Sequence, residues 1–248
     1  MISIKSEREI ALMKEAGLIL QKAFKEIEKH IRVGITTKEL DKIAYAFIIK
    51  NDCIPSCLNY EGYPATMCIS INDEVVHGIP GKRKLKDGDI VSCDLVLSYK
   101  GYHADATRTY IVGNVKEQIK ELVENTKNAF YEGVKQVHEG ARIKDISEAI
   151  EKYAHAHGLS VVEELVGHGI GSAMHEEPDV PNFNDGSNIR LKAGMTIAIE
   201  PMLNLGSKEV YLCDDNWTVK TMDKKPSAHY ENTVLVTKDG YEILTGED

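Results

Sequence analysis

The sequence predicts an α+β fold, because segments with helical spacing of apolar residues are followed, twice, by segments with strand-like alternation. Apolar residues recur at helical spacing over the first 50 residues, and apolar alternation typical of strands follows from about 64 to 113. Helical patterns return at about 116–139 and 143–157, and strand patterns continue from 160 onward. Because the helices are segregated from strands that include a hairpin, we expect a mainly antiparallel sheet rather than a doubly wound one.

Two capping boxes predict where the first two helices begin. Ser6 and Glu9 form the first box, and its helix is expected to run to Gly34. Thr36 and Glu39 form the second, and its helix is expected to end at about residue 50.

The order of two helices followed by strands occurs twice, which predicts an internal duplication. The two halves cover about 1–113 and 114–248. No Pro-, Gly- or Ser-rich linker separates them. We therefore expect a single domain over residues 1–248, with two pseudo-symmetric halves around one sheet.

The composition narrows the classes of partner. The formal net charge is −9, which argues against nucleic acid bound through a basic face. No apolar run reaches the ~18–20 residues that span a bilayer. Met1 leads almost directly into a charged helix, so we expect no signal peptide, no membrane partner and a cytoplasmic location. The five cysteines lack zinc-ribbon spacing and are expected to be free thiols in a reducing compartment.

Two aspartates are expected to face each other across a hairpin. A turn over residues 98–101, centred between positions 99 and 100, pairs Asp94 directly with Asp105, with Cβ atoms ~5 Å apart. At an effective dielectric of ~20 the two carboxylates would repel by about 3 kcal/mol, so a buried pair needs a compensating cation. The alternatives are that both face solvent on an edge hairpin, or that a bulge offsets them.

Two glutamates lie in segments of strand character. Glu200 ends the strand pattern GMTIAIEP, and Glu231 lies within AHYENTVLV. Each glutamate alone could protect an edge strand from aggregation. Four carboxylates together with His168 indicate a site for two ions of Mn, Fe, Co or Zn rather than a closed structural zinc centre.

The glycine-rich stretch GHGIGSAMHEEP supplies His168 and fits neither of two common motifs. A dinucleotide-binding loop would need glycine at Ser172. A zinc-protease helix beginning at His175 would need a second histidine where Asp179 stands, and Pro178 would break that helix. The glycines are expected instead to let the backbone of a loop approach a metal centre closely.

Five residues in chain order resemble the dinuclear metal-ligand set of the type I methionine aminopeptidases: Asp94, Asp105, His168, Glu200 and Glu231. The flanking segments carry the same resemblance from end to end: SEREIALMKEAG, GYPATMCISINDEVVHGIP, DGDIVSCDLVLSYKGYHADATRTY, GHGIGSAMHEEP, MTIAIEPM and NWTVKT. The resemblance implies the pita-bread (creatinase/aminopeptidase-like) fold and a single catalytic metallopeptidase domain. In this fold two helix-helix-strand halves surround a curved antiparallel sheet.

The resemblance also implies how the metals are held. Asp94 would bind one ion through both oxygens, and Asp105 and Glu231 would bridge two divalent ions, Co, Mn, Fe or Zn. His168 and Glu200 would complete the sphere of the second ion. A water or hydroxide that bridges the ions would attack the scissile carbonyl.

Catalytic roles follow from the same resemblance. Glu200 would relay a proton to the leaving amine, and His175 would contact the scissile carbonyl and stabilise the oxyanion. His77, in VVHGIP, would position the substrate or the leaving group. His103 and His229 neighbour predicted ligands and could support them through hydrogen bonds.

The methionine side chain would enter an apolar pocket, because a thioether favours soft sulfur and aromatic neighbours. The resemblance assigns this pocket to Cys57, Tyr60, Tyr63, Cys68, Met174 and Trp217. From the residues alone, Tyr60 and Tyr63 could equally belong to the core, and Trp217 could sit on a lid loop.

This sequence departs from residues that family members often carry. Met174 replaces a frequent Phe, which would make the pocket wall more adaptable. Val96 and Ala106 replace hydroxyl side chains near the aspartates, and His229 and Asn232 flank Glu231 where Gln and His are common. These changes would alter the side-chain hydrogen bonds around the ligands and thereby the affinity for metal, although all five ligands are present.

The predicted function is hydrolytic removal of the N-terminal methionine from nascent proteins and peptides whose second residue is small. The expected partners are nascent polypeptide N-termini, which could be met at the ribosome, and the protein is expected to be a monomer. A prolidase or aminopeptidase P would usually carry an additional N-terminal domain, for which a catalytic pattern that begins at about residue 6 leaves no room. A non-enzymatic relative would typically have lost metal ligands, whereas all five are present in this sequence.

Overall fold

The computed structural model describes residues 2–246. Its four helices are α1 (Glu7–Glu28), α2 (Thr37–Lys50), α3 (Glu117–Val134) and α4 (Ile143–Ala156). Both predicted capping boxes are present, with the Ser6 and Thr36 side chains accepting from backbone N–H groups. The first helix ends at Glu28 rather than at Gly34, because the chain turns there and the Gly34 N–H instead donates to the Leu85 carbonyl at 2.8 Å.

Apart from one 3-10 turn, the rest of the regular structure within residues 2–246 consists of fifteen strands. The first half contributes β1 (Ile54–Pro55), β2 (Cys68–Ile71), β3 (Glu74–Val76), β4 (Ile90–Tyr99) and β5 (Tyr102–Ile111). The second half contributes β6 (Ser160–Val161), β7 (Gly167–Gly169), β8 (Glu176–Val180), β9 (Thr196–Ile199), β10 (Met202–Asn204), β11 (Val210–Leu212), β12 (Val219–Thr221), β13 (Ser227–His229), β14 (Glu231–Val236) and β15 (Tyr241–Ile243). A single 3-10 turn, Tyr60–Gly62, precedes β2.

The strands form one large antiparallel sheet and two small ones. The large sheet runs β1-β4-β5-β14-β9-β7-β8, with β2 added to β4 and β15 added to β14. The small sheets run β13-β10-β6 and β11-β12-β3. The α+β prediction with a curved antiparallel sheet is therefore confirmed. The order of two helices followed by strands also repeats as expected, whereas the duplication behind it stays a prediction.

The register of the long hairpin differs from the predicted one. Its turn is centred on Lys100 and Gly101, both with positive φ, so that Asp94 pairs with Thr107 and Asp105 pairs with Val96. Positive φ at both central residues is the condition for the tight turn that matches strand twist. The two aspartates are therefore diagonal neighbours on one face, not direct partners.

The two faces of the large sheet have different roles. Alternate residues of β4, such as Cys93 and Leu95, pack in the same apolar cluster as α1 and α2. Ile197 and Ile199 of β9 pack with α3 and α4 in the corresponding second cluster. Since side chains alternate along a strand, the residues between them, including Asp94, point to the opposite face. The helices thus cover one face, and the polar residues collect on the other.

Two further observations concern the chain as a whole. All five cysteines are free thiols, as predicted. Within residues 2–246, no helix combines the length and the apolar character required to cross a bilayer.

Candidate metal centre and active site

A cavity of about 620 Å³ opens on the face of the sheet away from the helices. Every residue that the sequence predicts for metal binding, catalysis or substrate binding lines it: Cys57, Tyr60, Tyr63, Cys68, His77, Asp94, Asp105, His168, Met174, His175, Glu200, Trp217 and Glu231. The structure therefore brings all of them together. It does not by itself test the role of any one of them.

Neighbouring strands carry the five predicted ligands into one place. Asp94 lies in the middle of β4 and Asp105 in β5, and Glu231 is the first residue of β14. Glu200 directly follows the end of β9, and His168 is the middle residue of β7. Because these strands are adjacent in the sheet, residues far apart in sequence converge on one patch.

The stretch GHGIG folds partly as a strand rather than wholly as a loop. Gly167–Gly169 forms β7 between β8 and β9. A Cβ atom on Gly167 would overlap the Ala198 carbonyl oxygen, and one on Gly169 would overlap the Glu177 carbonyl oxygen. These two glycines therefore allow close packing of β7 against its neighbours, which differs from the expected approach to a metal.

The ligand atoms form two overlapping groups, each with one histidine. Asp105, His168 and Glu231 offer one set of ligand atoms within 4.8 Å of one another, and Glu200, His229 and Glu231 offer another. His168 Nε2 lies 3.7 Å from Asp105 Oδ2 and 3.6 Å from Glu200 Oε1. Glu231 belongs to both groups, as a residue that bridges two ions would.

Burial makes ionisation of the carboxyl groups unfavourable in free energy unless cations are present. Burial raises the pKa of Asp94, and it raises that of Asp105 well above the ordinary value, with Glu231 and Asp94 adding repulsion. The pKa values of Glu200 and Glu231 rise well above normal for the same reasons. Burial also lowers the pKa of His168 to about 4, so its nitrogen is neutral and able to bind a metal.

These residues fit two divalent cations. Four carboxylates carry a formal charge that two divalent ions would balance, and oxygen ligands with imidazole suit borderline metals. Asp105 Oδ1 is buried and has no hydrogen-bond partner among the residues described. Such an unpaired buried oxygen is expensive without a partner, and a cation would supply one.

Two threonines that sequence reasoning missed support the ligands. Thr107 Oγ1 donates to Glu231 Oε2 at 2.8 Å, and the Asp105 N–H donates to Thr233 Oγ1 at 3.0 Å. The available signal was alternation, which places Thr107 on the same strand face as Asp105. Ala106, by contrast, packs with the helices, so the missing hydroxyl at that position does not weaken the metal centre.

Arg108 was also missed and lies beneath the site. It is 4% exposed, and its Nη1 donates to the Glu231 carbonyl oxygen at 2.6 Å. Its Nη2 donates to Asn232 Oδ1 at 2.7 Å and to the Thr245 carbonyl at 2.8 Å. Arg108 thereby fixes the backbone that presents Glu231.

The catalytic histidine candidates surround the ligands. His175 Nδ1 lies 3.0 Å from the Tyr60 hydroxyl, and its ring makes an edge contact with His168 at 4.4 Å between centroids. His77 follows β3 with φ of 58°, a left-handed conformation that non-glycine residues rarely adopt. Such strained positions concentrate at functional sites.

An apolar cluster forms the other end of the cavity, and its buried members are Cys57, Tyr63, Ala65, Cys68, Val96 and Met174. Trp217 lies in the turn between β11 and β12 and contacts the edge of Tyr63 at 5.0 Å between centroids. Tyr60 stands at the rim, 36% exposed. Apolar and metal-binding ends thus share one cavity, which suits a substrate with an apolar side chain next to its scissile bond.

The loop between β7 and β8 is held from outside the cavity. Lys5 Nζ donates to Glu176 Oε2 at 2.6 Å, and the other oxygen of Glu176 accepts from the Ala173 N–H at 3.1 Å. His103 contributes through its backbone N–H, which donates to the Gly171 carbonyl at 2.8 Å, and its Nδ1 lies 3.0 Å from the same oxygen. Glu176 is therefore a loop anchor rather than a metal ligand, and His103 supports this loop rather than the ligands.

Comparison with known proteins agrees with this geometry. The model of metallopeptidase family M24 matches residues 11–238. The chain is 49% identical over 246 residues to the methionine aminopeptidase of Clostridium perfringens, covering 99% of each chain. It is 47% identical to methionine aminopeptidase 1 of Bacillus subtilis, again covering 99% of each.

Solved structures give the same result. The crystal structure of methionine aminopeptidase from Rickettsia prowazekii superposes with a TM-score of 0.97 at 40% identity, covering 99% of this chain and 100% of that one. A prolidase from Pyrococcus furiosus shares the fold, with a TM-score of 0.78 at 24% identity, but this chain covers only 66% of it. The chain therefore belongs to metallopeptidase family M24 and, within that family, to the methionine aminopeptidases.

Proposed function

We propose that this protein hydrolyses the peptide bond after an N-terminal methionine when the second residue is small. The observation that carries the proposal is the shared cavity, in which the sulfur- and aromatic-lined end adjoins the buried carboxylates. A pocket of this lining fits a thioether side chain. It would hold the methionine while the following peptide bond lies over the ligands.

The four carboxylates and His168 would hold two divalent cations. When bound, these ions would polarise the scissile carbonyl and lower the pKa of a shared water. Both effects require ionised carboxylates, which is the state that burial opposes in the protein alone.

The protein's own side chains would perform the remaining steps. Glu200, at the edge of the ligand group, would accept a proton at its carboxylate and deliver it to the leaving amine. His175 would donate from Nε2 to the oxygen that becomes negative as the carbonyl is attacked. His77, which also lines the cavity, would position the substrate or the leaving group.

The proposal is tested with matched peptides and controlled metal content. Metal-free protein, prepared with a chelator, should be inactive, and adding Mn²⁺ or Co²⁺ should restore cleavage of Met-Ala-Ser. Met-Leu-Ser and a Xaa-Pro peptide should be poor substrates. Cleavage of the Xaa-Pro peptide but not of Met-Ala-Ser would replace the proposal with a prolidase-like activity.

A chain that binds no metal, or that binds metal without cleaving any of these peptides, would point to a binding protein. Nascent chains as the physiological partners, a monomeric state and a cytoplasmic location stay predictions. The identity of the metal would follow from elemental analysis of protein purified without oxygen.

A further inference from the structure

We propose that His229 is a direct ligand of the metal centre, supplying an imidazole to the ion position formed with Glu200 and Glu231. This inference rests on the proposed metal dependence and adds a sixth ligand to the five that the family resemblance implies. It also assigns a chemical role to a histidine outside the predicted ligand set.

The side chain of His229 is buried next to Glu200, one of the predicted ligands. Its side chain is 2% exposed, and its Nε2 has no hydrogen-bond partner among residues 2–246. Leaving a buried imidazole nitrogen unpaired costs free energy. That cost disappears when the nitrogen binds a cation.

The surroundings of that nitrogen are metal ligands. Nε2 lies 3.6 Å from Glu200 Oε2, a separation too long for a hydrogen bond. Ligand atoms of His229, Glu200 and Glu231 all lie within 4.8 Å of one another. An ion between them could therefore reach all three.

The backbone holds His229 in this direction. Its N–H donates to Thr109 Oγ1 at 3.1 Å, and its carbonyl accepts from the same hydroxyl at 2.8 Å. Thr109 is in turn paired with Ser92 across the hairpin at 2.7 Å. The backbone of His229 is thus attached to the hairpin that carries Asp94 and Asp105.

The consequence is a centre with two imidazoles, His168 and His229, which lie 3.6 Å from the two carboxylate oxygens of Glu200. Imidazole favours Zn²⁺, Co²⁺ and Fe²⁺ over Mn²⁺, which prefers oxygen ligands. A second imidazole should therefore bias the site toward the nitrogen-preferring ions.

Nuclear magnetic resonance of ¹⁵N-histidine-labelled protein loaded with Zn²⁺ tests the assignment directly. Spectra of the wild type and of His229→Gln identify the His229 signal, and His168→Gln identifies that of His168, the histidine ligand that the family resemblance implies. We expect the ¹⁵N chemical shift of His229 Nε2 to change from its value in the metal-free protein to that of a zinc-bound nitrogen. Exposed His155 supplies the matched control, His155→Gln, whose zinc-bound signals should match those of the wild type.

Metal titration provides a second readout that is independent of turnover. We expect His229→Gln to weaken Zn²⁺ binding by more than roughly 100-fold, which exceeds the loss typical of residues that only support a ligand, and Mn²⁺ binding by less than about tenfold. A His229 nitrogen that stays unbound in the zinc-saturated protein, or an equal loss for both metals, would overturn the proposal and leave a hydrogen-bonding role toward Glu200. Failure of the wild type to bind any metal would instead overturn the proposed function.

Discussion

The hydroxyl of Tyr60 lies within hydrogen-bonding distance of His175, so the two groups together determine which nitrogen of His175 carries the proton. The two groups are 3.0 Å apart at Nδ1. If His175 is to donate from Nε2 to a developing oxyanion, the neutral ring must accept at Nδ1, and Tyr60 must be the donor. Tyr60 would then act on the reaction through His175, besides lining the methionine pocket.

Removing only that hydroxyl tests its effect. In Tyr60→Phe we expect kcat for Met-Ala-Ser to fall about fivefold with little change in KM, because one hydrogen bond contributes about 1 kcal/mol and about 1.4 kcal/mol is tenfold in rate. Tyr241→Phe, at an exposed position on β15, is the matched control. Steady-state kinetics that show unchanged kcat in Tyr60→Phe would remove the hydroxyl from the mechanism.

Asp105→Asn tests the bridging carboxylate. The substitution keeps the side-chain shape but removes a negative charge that faces Glu231 and Asp94. We expect activity to be lost together with bound metal, while the melting temperature of the metal-free variant is equal to or above that of the wild type. Elemental analysis and thermal unfolding measure the two effects, and a variant that turns over normally would exclude a bridging role.

At the scale of elements, the loop from β7 to β8 depends on the segment before α1. Lys5 and Glu176 form an ion pair with side chains only 3% and 13% exposed. Burial alone would raise the pKa of Glu176, but the Lys5 ammonium and the Ala173 N–H outweigh it and lower that pKa. The pair therefore fixes the loop that carries Met174 and His175.

Breaking this pair should affect stability and substrate binding separately. Lys5→Met leaves a buried carboxylate uncompensated and should destabilise the protein by about 3–5 kcal/mol, measured by urea unfolding. The double variant Lys5→Met with Glu176→Gln should recover most of that stability and still show a raised KM, because the loop loses its charged anchor. A double variant with wild-type KM would mean that the pair serves only stability.

The elements also show what a sequence pattern can and cannot predict. Capping boxes predict the helix starts because their contacts are local, as at Ser6 and Thr36. The hairpin turn was placed one residue too early because both Lys100 and Gly101 had to be recognised as left-handed. That error shifts the pairing by two residues, which preserves the face of each side chain. The shared face of Asp94 and Asp105 was therefore predicted although their pairing was not.

At the scale of the whole molecule, the metal-free protein should become less stable as the pH rises. Burial raises the pKa of Asp105, Glu200 and Glu231 above the values of the unfolded chain. The folded state therefore holds protons that the unfolded state releases above pH ~4. These three groups make their full contribution to the free energy of unfolding below that pH. The contribution is lost as the pH rises through the pKa values that the groups have in the folded protein.

Thermal unfolding with and without metal measures this dependence. We expect the melting temperature of the chelated protein to fall between pH 5 and pH 8, and we expect saturating Mn²⁺ or Co²⁺ to abolish or reverse the fall, since bound cations favour the ionised carboxylates. A chelated protein that is most stable at pH 8 would show that other groups dominate.

The ligand set could be predicted from the sequence because its residue types and their order carry a resemblance along the entire chain. The residues that support the ligands and the β7–β8 loop could not be predicted, because each of them acts through contacts between distant segments. Thr233 meets Asp105 across 128 positions, and Lys5 meets Glu176 across 171. Nothing local in the sequence marks Lys5 as different from the lysines on the helices.

The Lys5–Glu176 contact has a consequence for biosynthesis. Lys5 is synthesised 171 residues before Glu176, because the ribosome builds a chain from its N-terminal side. A nascent chain therefore carries its anchor long before the loop that the anchor holds. The loop that carries Met174 and His175 is therefore anchored only after Glu176 has been made, and a change at Lys5 would disturb this loop without altering any residue that lines the cavity.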